Sequence, residues 1–101
     1  MFKLDFTGYQ GESATDLYVP EHTRETLRMY VEEGYDPGGF VTAVLCNDLM
    51  GAVSRADSTN IRYLRDIAMF VYNRVPSRAY GGPGLIEAYK AEVWAAKTPD
   101  A

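Results

Sequence analysis

Residues 36–54 read DPGGFVTAVLCNDLMGAVS, and this stretch decides the fold. Asp36 and Pro37 predict a helix start, because aspartate caps free backbone N–H groups and proline is tolerated at the first helical position. The apolar spacing that follows predicts one continuous helix, here called helix two, that ends near Ser54. Gly51 within it indicates close approach of another backbone, since glycine otherwise costs a helix about 1 kcal/mol.

Helix two presents apolar residues to two sides. At about 100° per residue, its main apolar face comprises Leu45, Cys46, Leu49 and Val53. Phe40 and Val44 fall on the opposite side, beside Asn47 and Asp48. A helix that is apolar almost all round is usually central, so we expect it in the core. The side that carries Phe40 is our first candidate for a partner-binding surface.

Three other helices are predicted around helix two, over residues 20–34, 57–75 and 85–97. The helix over residues 57–75 is expected to bury Leu64, Ile67, Ala68, Val71 and Val75. Its outer stripe is expected to contain Arg62, Arg65, Asp66, Met69 and Asn73. Within that stripe, Arg62, Arg65 and Met69 form a second candidate surface for a partner.

The N-terminus has the alternating pattern of a strand, because Phe2, Leu4 and Phe6 are separated by polar residues. A loose hairpin with residues 15–19 is the first interpretation, and pairing with another chain is the alternative. The predicted fold is therefore mainly α: a compact four-helix domain with a short N-terminal β-strand or hairpin. Its parts are an arm over residues 1–19, a helical core over 20–97 and a frayed tail over 98–101.

Composition indicates one globular domain. The chain has 101 residues, of which 47% are hydrophobic and 24% charged. Its net charge of −4 and the lack of a Lys/Arg-rich run disfavour nucleic-acid binding. A single cysteine, Cys46, suits a reducing compartment, and no signal peptide or apolar stretch of about 20 residues is visible. We therefore expect a cytoplasmic protein without a membrane segment.

The residues of common enzyme chemistries are scarce. One histidine, His22, and one cysteine, Cys46, do not suggest a nucleophile and base pair, and no set of zinc ligands occurs at short spacing. Glu32 and Glu33 are adjacent on a helix and point in different directions, so they do not predict a shared site with Asp36. We expect no catalytic residues, no metal and no cofactor.

A glycine-rich loop before the last helix offers an alternative site. Gly81, Gly82 and the nearby Arg78 and Tyr80 resemble an anion-binding helix start, where backbone N–H groups meet the positive end of a helix dipole. The loop matches neither the dinucleotide fingerprint nor the phosphate loop. A plain connecting turn is the favoured interpretation, and nucleotide or anion binding is the alternative.

Several strings within residues 18–76 resemble a family of short bacteriophage and prophage proteins. They are Val19 to Thr23, Pro37 to Leu45, Asn47 to Leu49, Arg55 to Asp57 and Phe70 to Asn73. The family's late loop reads Trp-Gly-Ser-Pro where this chain has Tyr80 to Pro83, so no role transfers to this loop. The resemblance implies a viral accessory protein in a bacterial cytoplasm, and it implies no catalytic motif.

These observations together favour a non-catalytic protein that binds and modulates a host or defence protein. Eight tyrosines add to this hypothesis, because tyrosine is enriched at interfaces, although packing at the core boundary also uses it. The alternative function is a small-ligand protein that sequesters a nucleotide or another anion. A homodimer is also predicted, since the N-terminal strand and the second apolar side of helix two both invite pairing.

Overall fold

The helix boundaries follow local capping signals, and these divide the chain more finely than apolar spacing does. A computed structural model describes residues 2–97. The α-helices of this part are α1 (Glu21–Glu33), α2 (Gly38–Leu45), α3 (Leu49–Arg55), α4 (Ser58–Arg62), α5 (Leu64–Arg74) and α6 (Pro83–Lys97). A 3-10 turn, Ser77–Ala79, precedes α6. The mainly helical prediction is confirmed, whereas the count of four helices is not; the predicted tail 98–101 lies outside the described residues.

Helix two is interrupted, so the prediction of one continuous helix over residues 36–54 is wrong. Asn47 takes a left-handed conformation with φ of +61°, which asparagine tolerates better than most residues. Asp48 then caps α3 by accepting a hydrogen bond from the Gly51 N–H at 2.9 Å. The break redirects α3, and Leu49 and Val53 are consequently exposed where burial was predicted.

The predicted helix over residues 57–75 is also divided. Asp57 caps α4 by accepting a hydrogen bond from the Asn60 N–H at 2.7 Å, and Tyr63 separates the end of α4 from the start of α5. In α5 the buried residues are Ile67, Phe70 and Val71. The predicted core face is therefore wrong in part. Leu64 is only partly buried, and Ala68 is exposed.

The N-terminal arm packs against α5 without forming the predicted strand. Leu4 and Phe6 are buried, and the Phe6 ring stacks on Phe70 with centroids 4.4 Å apart. The hairpin contacts occur further along, where residues 8–11 meet residues 17–19. The Val19 N–H donates to the Tyr9 carbonyl at 2.8 Å, and Gln10 and Tyr18 form an isolated antiparallel bridge. The arm thus pairs within its own chain.

Tyrosines contribute to the core as well as to the surface. Tyr30 is fully buried and donates its hydroxyl to the Ala79 carbonyl at 2.7 Å. Tyr89 is buried and donates to the Val31 carbonyl at 2.6 Å. These hydrogen bonds offset the cost of burying a hydroxyl and join α6 and the 3-10 turn to α1. Part of the tyrosine excess is therefore structural.

Candidate functional site

An apolar groove of about 250 Å³ lies between α3 and α5, and we call it the α3–α5 groove. Its lining comes from α2, the turn after it, α3 and α5: Val44, Asn47, Asp48, Leu49, Ala52, Leu64 and Ala68. Five of these seven side chains are aliphatic. Pockets that are mostly apolar with a few polar groups are the usual form of a binding site.

The groove has small residues on both sides and a large one at its edge. Ala52 is buried in α3, Ala68 is exposed in α5, and Leu49 leaves 64% of its surface exposed. Small side chains permit close approach of another backbone, and a leucine exposed to this extent offers apolar surface to a partner. The groove is thus shaped for side chains inserted from outside.

Exposed side chains flank the groove by their helical position, and we call them the rim: Val53, Arg65 and Tyr72. Around α5, Arg65 lies about 60° and Tyr72 about 40° from Ala68, which places both beside the groove. Tyr72 is 71% exposed. Met50 is 77% exposed but lies about 160° from Ala52 around α3, so it faces away from the groove.

Charged groups of both signs lie at the groove. Asp48 is part of its lining, and Arg65 stands beside it on α5. The three arginines of residues 48–66 are matched by three aspartates, so the formal charge of this segment is zero. The Arg65 side chain is 78% exposed, and its guanidinium lies 4.0 Å from the Asp66 carboxylate.

The turn at Asp48 explains the glycine in this region. A Cβ atom on Gly51 would lie 2.1 Å from the Asp48 Oδ2 atom and 2.7 Å from the Arg55 guanidinium. The predicted close approach at Gly51 is therefore present, but the approaching groups are a capping carboxylate and a guanidinium. The prediction of another backbone at this position is wrong.

The structure divides the first predicted surface. Val44, Asn47 and Asp48 line the α3–α5 groove, and the last two are exposed. Phe40 is partly buried, packs against the core and does not line the groove.

The second predicted surface is also divided. Arg65 belongs to the rim, and Met69 packs against the core. The Arg62 guanidinium lies 6.0 Å from the centre of the Tyr63 ring, which itself contacts Tyr18 of the arm. The arm contacts two residues of the predicted outer stripe: the Asp66 carboxylate accepts the Tyr18 N–H, and Asn73 donates to the Tyr9 hydroxyl.

Sequence reasoning missed most of the groove. The sequence pattern places Leu49, Leu64 and Ala68 on core faces and gives Tyr72 no role in binding. The signal that could have found them is the pair Asn47 and Asp48, which suits a left-handed residue followed by a helix cap. A break at that pair removes Leu49 and Val53 from the core face.

The alternative anion site is occupied by contacts within the chain. Both carboxylate oxygens of Glu92 accept hydrogen bonds from the Arg78 Nε–H, at 3.0 and 2.8 Å. This pairing raises the pKa of Arg78 and lowers the pKa of Glu92. The Gly81 N–H donates to the Leu45 carbonyl at 2.6 Å, and Tyr80 packs against the core. Gly82 directly precedes α6. Because Arg78 is already paired with Glu92, an anion bound at this loop would compete with Glu92 for the Arg78 guanidinium.

The three acidic residues considered from the sequence have separate partners. Glu32 is buried and accepts the Leu4 N–H at 2.8 Å. A hydrogen bond from Lys97 lowers the pKa of Glu33, and the backbone N–H of Gly38 lowers the pKa of Asp36. Across residues 2–97, no group of three or more His, Cys, Asp or Glu side chains is arranged to hold a metal ion.

The histidine and the cysteine have unrelated surroundings. His22 Nε2 lies 3.2 Å from the Asp57 carboxylate and 3.4 Å from the Asn60 amide nitrogen, at an exposed helix start. Burial raises the pKa of the Cys46 thiol, which disfavours the reactive thiolate. Within the described part of the chain, no helix is long and apolar enough to cross a bilayer.

A larger cavity of about 820 Å³ lies along the outer face of α1. Its charged lining has both signs, and Arg28 and Glu25 within it form an ion pair with each other. The α3–α5 groove is the better candidate for binding a protein, because its lining is mostly aliphatic and Leu49 leaves apolar surface exposed to water. No family model, curated protein or solved structure matches this chain. Fold and site define its class as a mainly helical domain with an exposed apolar groove.

Proposed function

We propose that this chain is a non-catalytic binding protein that holds a partner protein in the α3–α5 groove. The observation that carries the proposal is the exposure of Leu49 and Tyr72 at a groove lined mostly by aliphatic side chains. Removing apolar surface from water contributes about 25 cal/mol for each Å², and the entropy lost on association offsets part of that gain. Of these side chains, tyrosine is of a type enriched among the residues that dominate binding energy.

The proposed biological setting is a bacteriophage accessory protein that modulates a host or defence protein in the bacterial cytoplasm. Its support is the resemblance of residues 18–76 to short phage and prophage proteins. Two of the strings that carry the resemblance, Pro37 to Leu45 and Asn47 to Leu49, supply Val44, Asn47, Asp48 and Leu49 of the groove lining. Partner binding through these strings would unite the resemblance with the groove.

Affinity capture with matched variants tests the proposal. Ala68 and Ala88 are both exposed helical alanines, but only Ala68 lines the groove. Ala68→Arg should place a long charged side chain in the groove and abolish capture of any protein that native bait retains from bacterial lysate. Ala88→Arg should capture the same protein as the native chain. Equal capture by both variants would remove the groove from the proposal.

The predicted homodimer stays a prediction. Of the two observations behind this prediction, the N-terminal arm gives less support, because it pairs within its own chain. The exposed apolar groove is still a surface that a second copy could cover. Light scattering over a range of concentrations measures the mass directly. A dimer that Ala68→Arg converts to a monomer would assign the groove to self-association.

Sequestration of a nucleotide or anion at Arg78, Tyr80, Gly81 and Gly82 is the alternative proposal, and it has less support. Its arginine is paired with Glu92, and the Gly81 N–H is bonded to Leu45. A panel of nucleotides in a thermal-shift assay tests it, because a ligand that binds only the folded state raises the melting temperature. A flat response is expected, and a rise of several degrees would reverse the ranking.

A further inference from the structure

The C-terminal end of α1 and the last turn of α6 hold an ammonium group against two aromatic rings. The Lys97 Nζ atom lies 5.7 Å from the centre of the Tyr35 ring and 5.6 Å from the centre of the Trp94 ring. It also donates hydrogen bonds to the Glu33 carboxylate and, at 3.2 Å, to the Glu33 backbone carbonyl. We call Glu33, Tyr35 and Trp94 the cradle. A cation within about 6 Å of a ring face is attracted by the electrons of that face.

The indole wall of the cradle is fixed by α1. The Trp94 Nε1–H donates to the Gly34 carbonyl at 3.1 Å. A Cβ atom on Gly34 would lie 3.1 Å from the Trp94 Cδ1 atom, so the indole packs directly on this glycine. Gly34 ends α1 with a φ of +77°, and Tyr35 follows with its ring centre 6.1 Å from that of Trp94. Contacts other than the Lys97 ammonium therefore hold the indole in place.

The end of α1 attracts positive charge. The C-terminus of a helix carries a partial negative charge, and α1 ends at Glu33 without a basic residue in its last turn. The Lys3 ammonium is the other positive charge that acts on Glu33, but it is ion-paired with the Glu32 carboxylate at 3.7 Å. The helix end, the Glu33 carboxylate and the two rings thus favour a cation at one point, and Lys97 supplies it.

The cradle lies at the surface, where a group from outside can reach it. Tyr35 and Trp94 are 45% and 47% exposed, and the Glu33 side chain is 37% exposed. Lys97 reaches the cradle through a flexible four-carbon stem from the last residue of α6. Helix ends fray, so this ammonium is the most easily exchanged part of the arrangement.

The acceptors of the cradle select the kind of cation. A primary ammonium has three N–H donors, which suit the Glu33 carboxylate and carbonyl while its charge faces the rings. A quaternary ammonium would satisfy the rings but would leave both acceptors without a donor. The matching chemistry is therefore a primary ammonium on an alkyl chain.

We propose that the cradle is a binding site for primary alkylammonium groups, which Lys97 closes in the chain alone and which a lysine side chain of a partner protein occupies in its place. Because Lys97 is tethered, it competes at an effective concentration on the order of mM. A ligand must therefore contribute further contacts, which favours a lysine on a protein surface over a small amine. The cradle shares no residue with the α3–α5 groove, and this inference does not rest on the proposed function.

Chemical rescue tests the site. Lys97→Ala opens the cradle, and n-butylammonium, which has the four carbons and the ammonium of the deleted side chain, is the probe. Trp94 is the only tryptophan of the chain, so its fluorescence reports on the cradle. We expect a saturable change in emission and a rise in melting temperature with Lys97→Ala, and a response at least about tenfold weaker with the native chain. Lys97→Ser, which also has a small side chain, should respond like Lys97→Ala.

Two controls separate the cradle from a general effect of charge. The Lys90 ammonium pairs with the Glu87 and Asp36 carboxylates, so Lys90→Ala should respond like the native chain. Neutral n-butanol should have no effect on Lys97→Ala, and tetramethylammonium should bind it several-fold more weakly than n-butylammonium. Adding Glu33→Gln to Lys97→Ala should also weaken n-butylammonium several-fold, because the carboxylate is lost. Absence of a saturable response in both Lys97 variants, or an equal response in Lys90→Ala, would overturn the site.

The source of the ammonium is tested on the native chain. A lysine-rich peptide, the same peptide with acetylated lysines and spermidine are titrated against Trp94 emission. Tighter binding of the unmodified peptide than of spermidine would support a partner's lysine. Tighter binding of spermidine would overturn that source and assign the site to polyamines, and equal binding of the acetylated peptide would overturn recognition of an ammonium group.

Discussion

Single residues at the turn between α2 and α3 determine which apolar side chains of α3 are exposed at the groove. Asn47 reverses the chain in a left-handed conformation, and Asp48 caps the helix that follows. Gly51 leaves the space in which that capping carboxylate sits. Together these three residues turn Leu49 and Val53 toward solvent, so the local chemistry of a cap creates the exposed surface.

We expect alanine substitution to have different effects on stability at Gly51 and at Gly84. Gly84 has open space around its Cβ position, so Gly84→Ala should stabilise the protein by roughly 0.4–1 kcal/mol. Gly51→Ala should gain nothing, since its helix-propensity gain of about 1 kcal/mol is offset by loss of the Asp48 cap. In an Asp48→Ala background, Gly51→Ala should stabilise by about 1 kcal/mol. Urea unfolding of the four Gly51 and Asp48 combinations measures this coupling, and purely additive effects would contradict it.

At the level of elements, the arm determines which side of α5 is covered. Phe6 stacks on Phe70, and Asp66 and Asn73 bond to the arm on the side predicted to be outermost. The face that carries Ala68 is then left open. The amphipathic pattern of α5 has apolar residues on more than one side, so its own sequence does not decide which side the arm takes.

Deleting the Phe6 ring tests the contribution of the arm. Phe6→Ala removes a buried ring from its stack on Phe70 and should cost about 3–5 kcal/mol in the free energy of unfolding. Phe2→Ala is the matched control, because Phe2 is 40% exposed, and its cost should stay below about 1 kcal/mol. Denaturant unfolding distinguishes the two, and similar losses would show that the arm does not anchor through Phe6.

For the whole molecule, the buried hydroxyls of Tyr30 and Tyr89 make the free energy of unfolding change with pH in the alkaline range. Burial raises the pKa of both Tyr30 and Tyr89, whose hydroxyls bond to backbone carbonyls of other elements. A raised pKa in the folded state means that the unfolded chain loses its protons first. The stability from these groups is complete below pH 10.0, the ordinary pKa of tyrosine, and it is lost as the pH rises above that value.

Alkaline unfolding should therefore be steep and should depend on Tyr30. Above pH 10.0 each such tyrosine contributes a slope of up to about 1.4 kcal/mol per pH unit. Tyr30→Phe should remove one such contribution and lower stability at neutral pH by about 1 kcal/mol, because the Ala79 carbonyl loses its donor. Tyr72→Phe changes an exposed side chain and is the control. Unfolding titrations between pH 8 and about 11 measure the slopes, and equal slopes for Tyr30→Phe and the native chain would contradict the prediction.

The sequence by itself determined a mainly helical domain and the helix start at Asp57, because capping and periodicity act over three or four residues. It also placed Val44, Asn47, Asp48 and Arg65 among the candidate residues, and these reach the groove or its rim. Only the tertiary structure decided which apolar faces are open. Leu49 and Ala68 carry the same local signal as buried residues, and their exposure depends on the direction of α3 after the turn and on the side of α5 that the arm covers.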